Sequence, residues 1–440
     1  AEDASYQGFS GTFTDGAHGY VISDSFGKVL RFALATFTFA DMKDFTNDGI
    51  TSFNHGAHDG AYGYLASASS AKIVQFDWNG DDFLVIDASA TYSSLYGFYG
   101  MVVHGADIFL ASGSDYRKVY RKCHQELGAA AATSTSTTVF ATSTTSTTST
   151  FTAMFATSTT SATSTTSTTM VCARVSVHEL TGTDPEFSMF TSAFEDSGYL
   201  YLVPGEYPVL YRSDLAAKTA SFVDLPLGGL FIGGFAAGSY GYLIPGGDNS
   251  QLVEVDLTTW HPANVQALDL VSDPGGHENL RGFHGGFHRG GYGYLVPGEH
   301  GLVARFTLGD MSDNITYLDL TQTDSDLTQF RNGFSDGSWG YLVPHKNAQD
   351  LGMGKVVRFD LATFSIVQVL DVGSSHANAK EFIDGFHDGQ LGYLVPANGA
   401  DSETVLVAFD LSTFNSEDVY TVPFYAGSGV QASLTSTKVV

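Results

Sequence analysis

Asn332-Gly-Phe-Ser-Asp-Gly-Ser-Trp-Gly-Tyr-Leu-Val-Pro344, continued by Lys355-Val-Val-Arg-Phe-Asp-Leu361 and Val367-Gln-Val-Leu-Asp371, decides the fold. It contains four short runs rich in Val, Tyr, Phe and Leu, the side chains that suit a pleated, half-buried surface. Asp336-Gly337 is a turn former between the first two runs. Pro344 lacks an amide donor, so it belongs at the end of a strand. No stretch of the chain sustains a 3.6-residue apolar period, so helix should be scarce.

The same unit recurs along the 440 residues. Tyr201-Leu-Val-Pro204, Tyr242-Leu-Ile-Pro245, Tyr294-Leu-Val-Pro297 and Tyr393-Leu-Val-Pro396 repeat the second run, and Phe13-Thr-Asp-Gly16 and Phe386-His-Asp-Gly389 repeat the turn before it. The anchor aromatics Tyr20, Tyr64, Phe109, Tyr201, Tyr242, Tyr294, Tyr341 and Tyr393 are spaced by 44, 45, 92, 41, 52, 47 and 52 residues. The 92 reads as one unit carrying an insertion. Eight units of roughly 50 residues, each with four antiparallel runs, predict an all-β, eight-bladed β-propeller. Glycine in the first run lets backbones approach near the axis, and the 33 Phe fill the space between blades. The chain starts at a first run and ends on a fourth, so closure is expected without an exchanged strand.

The expected organisation is propeller over 1–128, an inserted arm over 129–170, the remainder of blade three and blades four to eight over 171–422, and a C-terminal tail over 423–440. Of the 42 residues from 129 to 170, 28 are Ser or Thr and none is charged. The flanks place this insert between the third and fourth runs of blade three. Two readings apply to it: an O-glycosylated mucin-like stalk, with Thr137, Thr144, Thr147, Thr159 and Thr165 among the acceptors, or an ordered β-arm of β-branched threonines. An isolated two-stranded ribbon is marginal in water, so an ordered arm needs a partner surface, most simply a second copy. Head-to-tail donation of such an arm builds a filament unless the rotation closes. Cys123 and Cys172, the only cysteines, bracket the insert. A disulfide at its base is the expectation in an oxidising compartment, and two buried free thiols are the alternative.

The candidate chemistry is sparse. Asp15, Asp59, Asp196, Asp336 and Asp388 share one slot of the repeat, and Asp77, Asp256, Asp360 and Asp410 share another. A series of Ca²⁺ sites is one reading. Turn and strand-end capping is preferred, because Ca²⁺ loops crowd several oxygen ligands into a short stretch of chain. His58, His288 and His387 also fall in one slot, with His284 close by. We read them as polar turn residues in preference to metal ligands. No metal or other cofactor is expected. Asn314-Ile-Thr316 is an N-glycosylation sequon in a predicted turn. Trp339 and Tyr292, just before Gly-Tyr, are candidates for stacking on a sugar. Nucleophile-elbow, P-loop and zincin motifs are absent from the sequence.

The 323–344 segment with Gly354-Lys-Val-Val-Arg-Phe-Asp-Leu361 resembles tandem repeats in uncharacterised proteins of dinoflagellate-type algae, and more distantly the YVTN-type propeller repeats of cell-surface proteins. The likeness covers nearly all of the chain outside 129–170. It is frayed in blade three, where His104-Gly105 stands for Asp-Gly and Ile108-Phe109 for Gly-Tyr. The resemblance implies a propeller and an extracellular setting, and it carries over no catalytic residue.

A net charge of -27 argues against nucleic acid as a partner, and no apolar run is long enough for a membrane span. The start at Ala1 is read as a secretory signal already removed. These features lead to the expectation of a non-enzymatic, glycosylated subunit of an extracellular filament or surface coat, assembling through residues 129–170. A carbohydrate-binding propeller is the alternative, and a hydrolase using channel carboxylates the second alternative.

Overall fold

The structure, a computed structural model, describes residues 8–77, 82–90, 95–104, 107–112, 118–123, 176–179, 190–205, 207–217, 219–226, 228–312, 314–365, 367–397 and 403–425. The described strands form eight four-stranded antiparallel sheets, each built from four strands consecutive in the chain. These are the blades of a β-propeller. Blade 1 spans residues 9–44, blade 2 residues 53–87, blade 3 residues 98–179 and blade 4 residues 190–224. Blades 5 to 8 span residues 231–269, 283–319, 330–371 and 382–425. Helix among the described residues is limited to six three-residue 3-10 turns.

The first strand of each blade contacts the first strand of the next, so these strands surround the axis. Each begins with a buried Phe, as at Phe9, Phe53, Phe231, Phe330 and Phe382. Most carry a bulge within the next residues, as between Phe231 and Gly233 or Phe382 and Asp384. The bulge bends the strand and resets which way its side chains point. The phenylalanine just before the first turn stacks on the anchor tyrosine of its own blade: Phe13 on Tyr20 at 4.7 Å, Phe334 on Tyr341 at 5.0 Å, Phe386 on Tyr393 at 5.0 Å. Its other neighbour is a glycine of the following blade. A Cβ at Gly56 would lie 2.3 Å from the Phe13 ring. Glycine is therefore required there by close approach.

The ring closes between blades 8 and 1 without strand exchange. The Phe9 amide donates to the Ala397 carbonyl at 3.2 Å, and the Tyr393 hydroxyl oxygen lies 3.1 Å from the Leu34 carbonyl. Phe37 packs on Tyr393 at 5.8 Å.

One boundary expected from sequence shifts. The last strand runs Val419–Tyr425, and Pro423 pairs opposite Val405 inside it instead of opening a tail. It is an outermost strand, where a missing amide faces no partner. The described part of the fourth strand of blade 3, Ser176–Glu179, falls within the expected 171–180 run. It pairs antiparallel with Lys118–Cys123, so residues 124–175 connect two adjacent outer strands of one blade. The expected arm itself, with Thr137, Thr144, Thr147, Thr159, Thr165 and Cys172, lies outside the described residues. So do the predicted bridge from Cys123 and residues 426–440.

Candidate functional site

Because strands alternate in direction, the turns after the first and third strands of every blade lie on one face of the wheel. The two repeated aspartate slots sit in these turns, and the structure assigns them to the turns themselves. In blade 7, Asp336 Oδ1 accepts the amides of Ser338 and Trp339, both at 2.8 Å, and Oδ2 accepts the Tyr341 hydroxyl at 2.7 Å. Asp15, Asp59 and Asp388 do the same, with Tyr20, Tyr64 and Tyr393 donating at 2.8, 2.7 and 2.8 Å. The bound amides and hydroxyl lower the Asp15 and Asp388 carboxyls, outweighing the opposing effect of burial. Burial and the adjacent carboxylate raise the tyrosines. Asp196 departs from its slot: in blade 4 the turn runs through Ser197 and Gly198, both with positive φ, and Glu195 accepts the Gly198 amide at 2.9 Å.

The second slot caps the turn between strands three and four. Asp360 Oδ1 accepts the Thr363 amide, Asp410 Oδ1 those of Ser412 and Thr413, and Asp256 Oδ1 those of Thr258 and Thr259. The aspartate carbonyl then accepts the amide four residues on, placing Trp260, Phe364 and Phe414 at φ 46°, 49° and 45°. A left-handed aromatic residue costs on the order of 1 kcal/mol or more. Each ring recovers this by packing on the anchor tyrosine of the preceding blade: Trp260 on Tyr201 at 5.5 Å, Phe364 on Tyr294 at 5.8 Å, Phe414 on Tyr341 at 6.0 Å.

These seams also hold an arginine that the sequence reading did not single out. Opposite the anchor tyrosine, on the third strand, stand Arg212, Arg305 and Arg358. The Arg358 guanidinium lies 4.5 Å from the Trp339 ring and 4.3 Å from that of Phe414, and donates to the Leu411 carbonyl. Arg305 lies between Tyr292 and Phe364, and Arg212 between Tyr199 and Trp260. The proposed sugar-stacking rings Trp339 and Tyr292 thus already have an arginine over one face. The signal was present in Val-Val-Arg-Phe-Asp-Leu-Ala-Thr-Phe, whose arginine and final phenylalanine belong to opposite sides of neighbouring seams.

Of the four histidines singled out, His284, His288 and His387 tie blade to blade, which corrects their reading as turn residues. His288 stacks on Phe235 at 5.3 Å and His387 on Phe334 at 5.6 Å, each across a seam. His284 Nδ1 lies 3.2 Å from the Phe330 carbonyl of the next blade. Of these four, His58 alone serves a turn, accepting the Gly60 amide at 3.0 Å. Asn314 is exposed, in the connection between the third and fourth strands of blade 6. Among the described residues no three of His, Cys, Asp and Glu gather as a metal site. No described helix is long and apolar enough to cross a membrane.

No family model matches the chain, and no curated protein matches it. Solved structures share its fold. A dihydro-heme d1 dehydrogenase NirN is similar over 95% of this chain and 76% of its own, with a TM-score of 0.62 and 11% identity. The computationally designed Ika8 protein covers 88% of this chain and 93% of its own at a TM-score of 0.55 and 6% identity. A virginiamycin B lyase from Staphylococcus aureus, with quinupristin, covers 81% and 96% at a TM-score of 0.50 and 10% identity. At these identities the likeness defines the class, an all-β propeller, and nothing about activity.

Proposed function

We propose that this protein is a non-enzymatic structural subunit of an extracellular, glycosylated filament or surface coat, a propeller body that presents its Ser/Thr-rich segment to a neighbouring copy. The observation that carries this reading is how the repeated polar residues are used. The recurring aspartates, tyrosines and arginines cap turns or cross seams, so the repeat serves construction of the wheel. The feature that departs from the repeat is the uncharged segment between the outer strands of blade 3. Its 28 hydroxyl side chains suit O-linked sugars, and Asn314 is open to an N-linked one. The resemblance to surface-protein repeats supports an extracellular setting.

The test compares the full chain with a version in which residues 129–170 are replaced by a short Gly-Ser link. Light scattering should show higher-order assembly of the full chain and monomers of the shortened one. Assembly that survives the replacement, or a full chain that stays monomeric at high concentration, defeats the proposal. Mass spectrometry of native material should find glycans on the threonines and on Asn314.

A further inference from the structure

The chain carries six Asp-Gly pairs, at Asp15, Asp48, Asp59, Asp336, Asp384 and Asp388. Such a pair rearranges without an enzyme when the glycine amide nitrogen attacks the aspartate carboxyl and closes a five-membered succinimide. Glycine favours the attack because it places no side chain beside the nitrogen. The fold locks five of the six. At Asp15, Asp59, Asp336 and Asp388 the carboxylate accepts two backbone amides of its own turn and the hydroxyl of its anchor tyrosine, and all three bonds must break before the succinimide closes. Burial raises the Asp15 and Asp388 carboxyls, but the bound donors outweigh it and hold both below the ordinary value. An ionised carboxylate is the unreactive form, because the departing oxygen must carry a proton. Asp384 lies inside a strand, with Oδ1 bound to Asn332 Nδ2 and to the Gly385 amide, both at 2.8 Å.

Asp48 is different. It ends the 3-10 turn Thr46–Asp48, in the connection between blades 1 and 2. Asp48 and Gly49 are exposed, and among the described residues nothing donates to the Asp48 carboxylate. The Gly49 amide is held by one bond, to the Thr46 carbonyl at 3.0 Å, of the 3-10 type whose geometry is poor. Lys72 opens the third strand of blade 2, and its ammonium donates to the Asp48 carbonyl. A Cβ at Gly49 would lie 3.0 Å from the Lys72 nitrogen, so the cation stands beside the Asp48–Gly49 peptide itself. A cation on this carbonyl draws electron density from the adjoining amide and stabilises the nitrogen anion that attacks. We propose that Asp48–Gly49 is a self-modification site, where Lys72 promotes transfer of the peptide link from the α-carboxyl to the side-chain carboxyl of Asp48. The Gly49 nitrogen loses its proton and bonds to Cγ, Cγ loses its hydroxyl, and the two leave as water. Water then adds to one of the two ring carbonyls. Cleavage of the Cγ–N bond restores aspartate. Cleavage at the main-chain carbonyl leaves isoaspartate, with a free α-carboxylate and one more methylene in the backbone. That carboxylate forms from the carbonyl Lys72 already holds, so the product gains an ion pair.

The test is to incubate the full chain at mildly acidic pH and body temperature, then read each Asp-Gly peptide by electron-transfer fragmentation, which separates isoaspartate from aspartate. Isoaspartate should accumulate at residue 48 at least about tenfold faster than at the other five, whose hydrogen bonds must first break. Lys72→Met, similar in length but uncharged, should slow residue 48 several-fold, whereas Lys72→Arg, which keeps the cation, should retain most of the rate. Both variants should melt within a few degrees of the parent. In the parent unfolded in urea, the six sites should react within a few-fold of one another, which assigns the difference to the fold. Four outcomes overturn the proposal: no isoaspartate at residue 48, a rate at any of the other five that matches or exceeds it, a rate at residue 48 that Lys72→Met leaves unchanged, or a preference for residue 48 that persists in urea.

Discussion

The seam between blades 7 and 8 and the seam between blades 5 and 6 solve the same packing problem with opposite charges. At the first, Arg358 lies between Trp339 and Phe414 and bonds the Leu411 carbonyl. At the second, the residue facing the anchor Tyr242 is Glu254, only 1% exposed. The turn it meets, Thr307 to Met311, has neither the capping aspartate nor the left-handed aromatic residue. Gly309, at φ 74°, takes their place. Its amide donates to the Tyr242 oxygen at 2.7 Å and to Glu254 Oε2 at 3.2 Å, while the Tyr242 hydroxyl donates to Glu254 at 2.7 Å. Each seam is therefore a matched set. A guanidinium needs π faces and a carbonyl, and a carboxylate needs donors, so the two halves must change together although they lie about 50 residues apart in the chain.

The comparison breaks most severely at the arginine seam. Arg358→Ala removes two cation–π contacts and leaves the Leu411 carbonyl without its donor, and should cost about 3 kcal/mol in urea unfolding. At the carboxylate seam, Tyr242→Phe leaves Glu254 without its hydroxyl donor and should cost about 2 kcal/mol. Tyr341→Phe, at the arginine seam, leaves Asp336 its two turn amides and should cost less, about 1 kcal/mol. A reversed order of these two tyrosine variants would show that the seams are not built as described.

A smaller effect separates the seams by pH. Burial raises the Glu254 carboxyl, with Asp310 and Asp256 adding to the shift and Tyr242 and Gly309 opposing it. Ionised Glu254 therefore weakens the fold at pH above its raised pKa. On acidification the folded chain takes up this proton before the unfolded chain does, so the penalty is relieved. Glu254→Gln should change stability by less than about 1 kcal/mol near pH 7, and its stability relative to the parent should fall as pH drops through the raised pKa. Asp388 behaves in the opposite sense. Its lowered pKa means that its contribution is complete above the ordinary carboxylate range and is lost as pH falls below it. Asp388→Asn should flatten the acid limb of the stability curve, measured by denaturant titration from pH 6 to pH 2.

Much of the molecule was readable before its structure. The Tyr-Leu-Val-Pro anchors fall where buried second strands lie, and the aspartates cap turns, because turn chemistry and two-residue periodicity are local. What local reading missed were pairings across seams. Phe414 is near Asp410 in sequence, but its ring belongs to Tyr341 of another blade. Trp339 reads as an exposed aromatic until Arg358 covers one face. Pro423 reads as the end of the propeller, yet an outermost strand has no neighbour to miss its amide.

The sequence by itself determined the repeat, the four-strand unit and the place of the insertion, since each rests on spacing and backbone chemistry within one blade. Tertiary structure alone decided which arginine meets which aromatic ring and why Glu254 is tolerated. Those relations arise only when the ring closes and brings together side chains that the chain keeps tens to hundreds of residues apart.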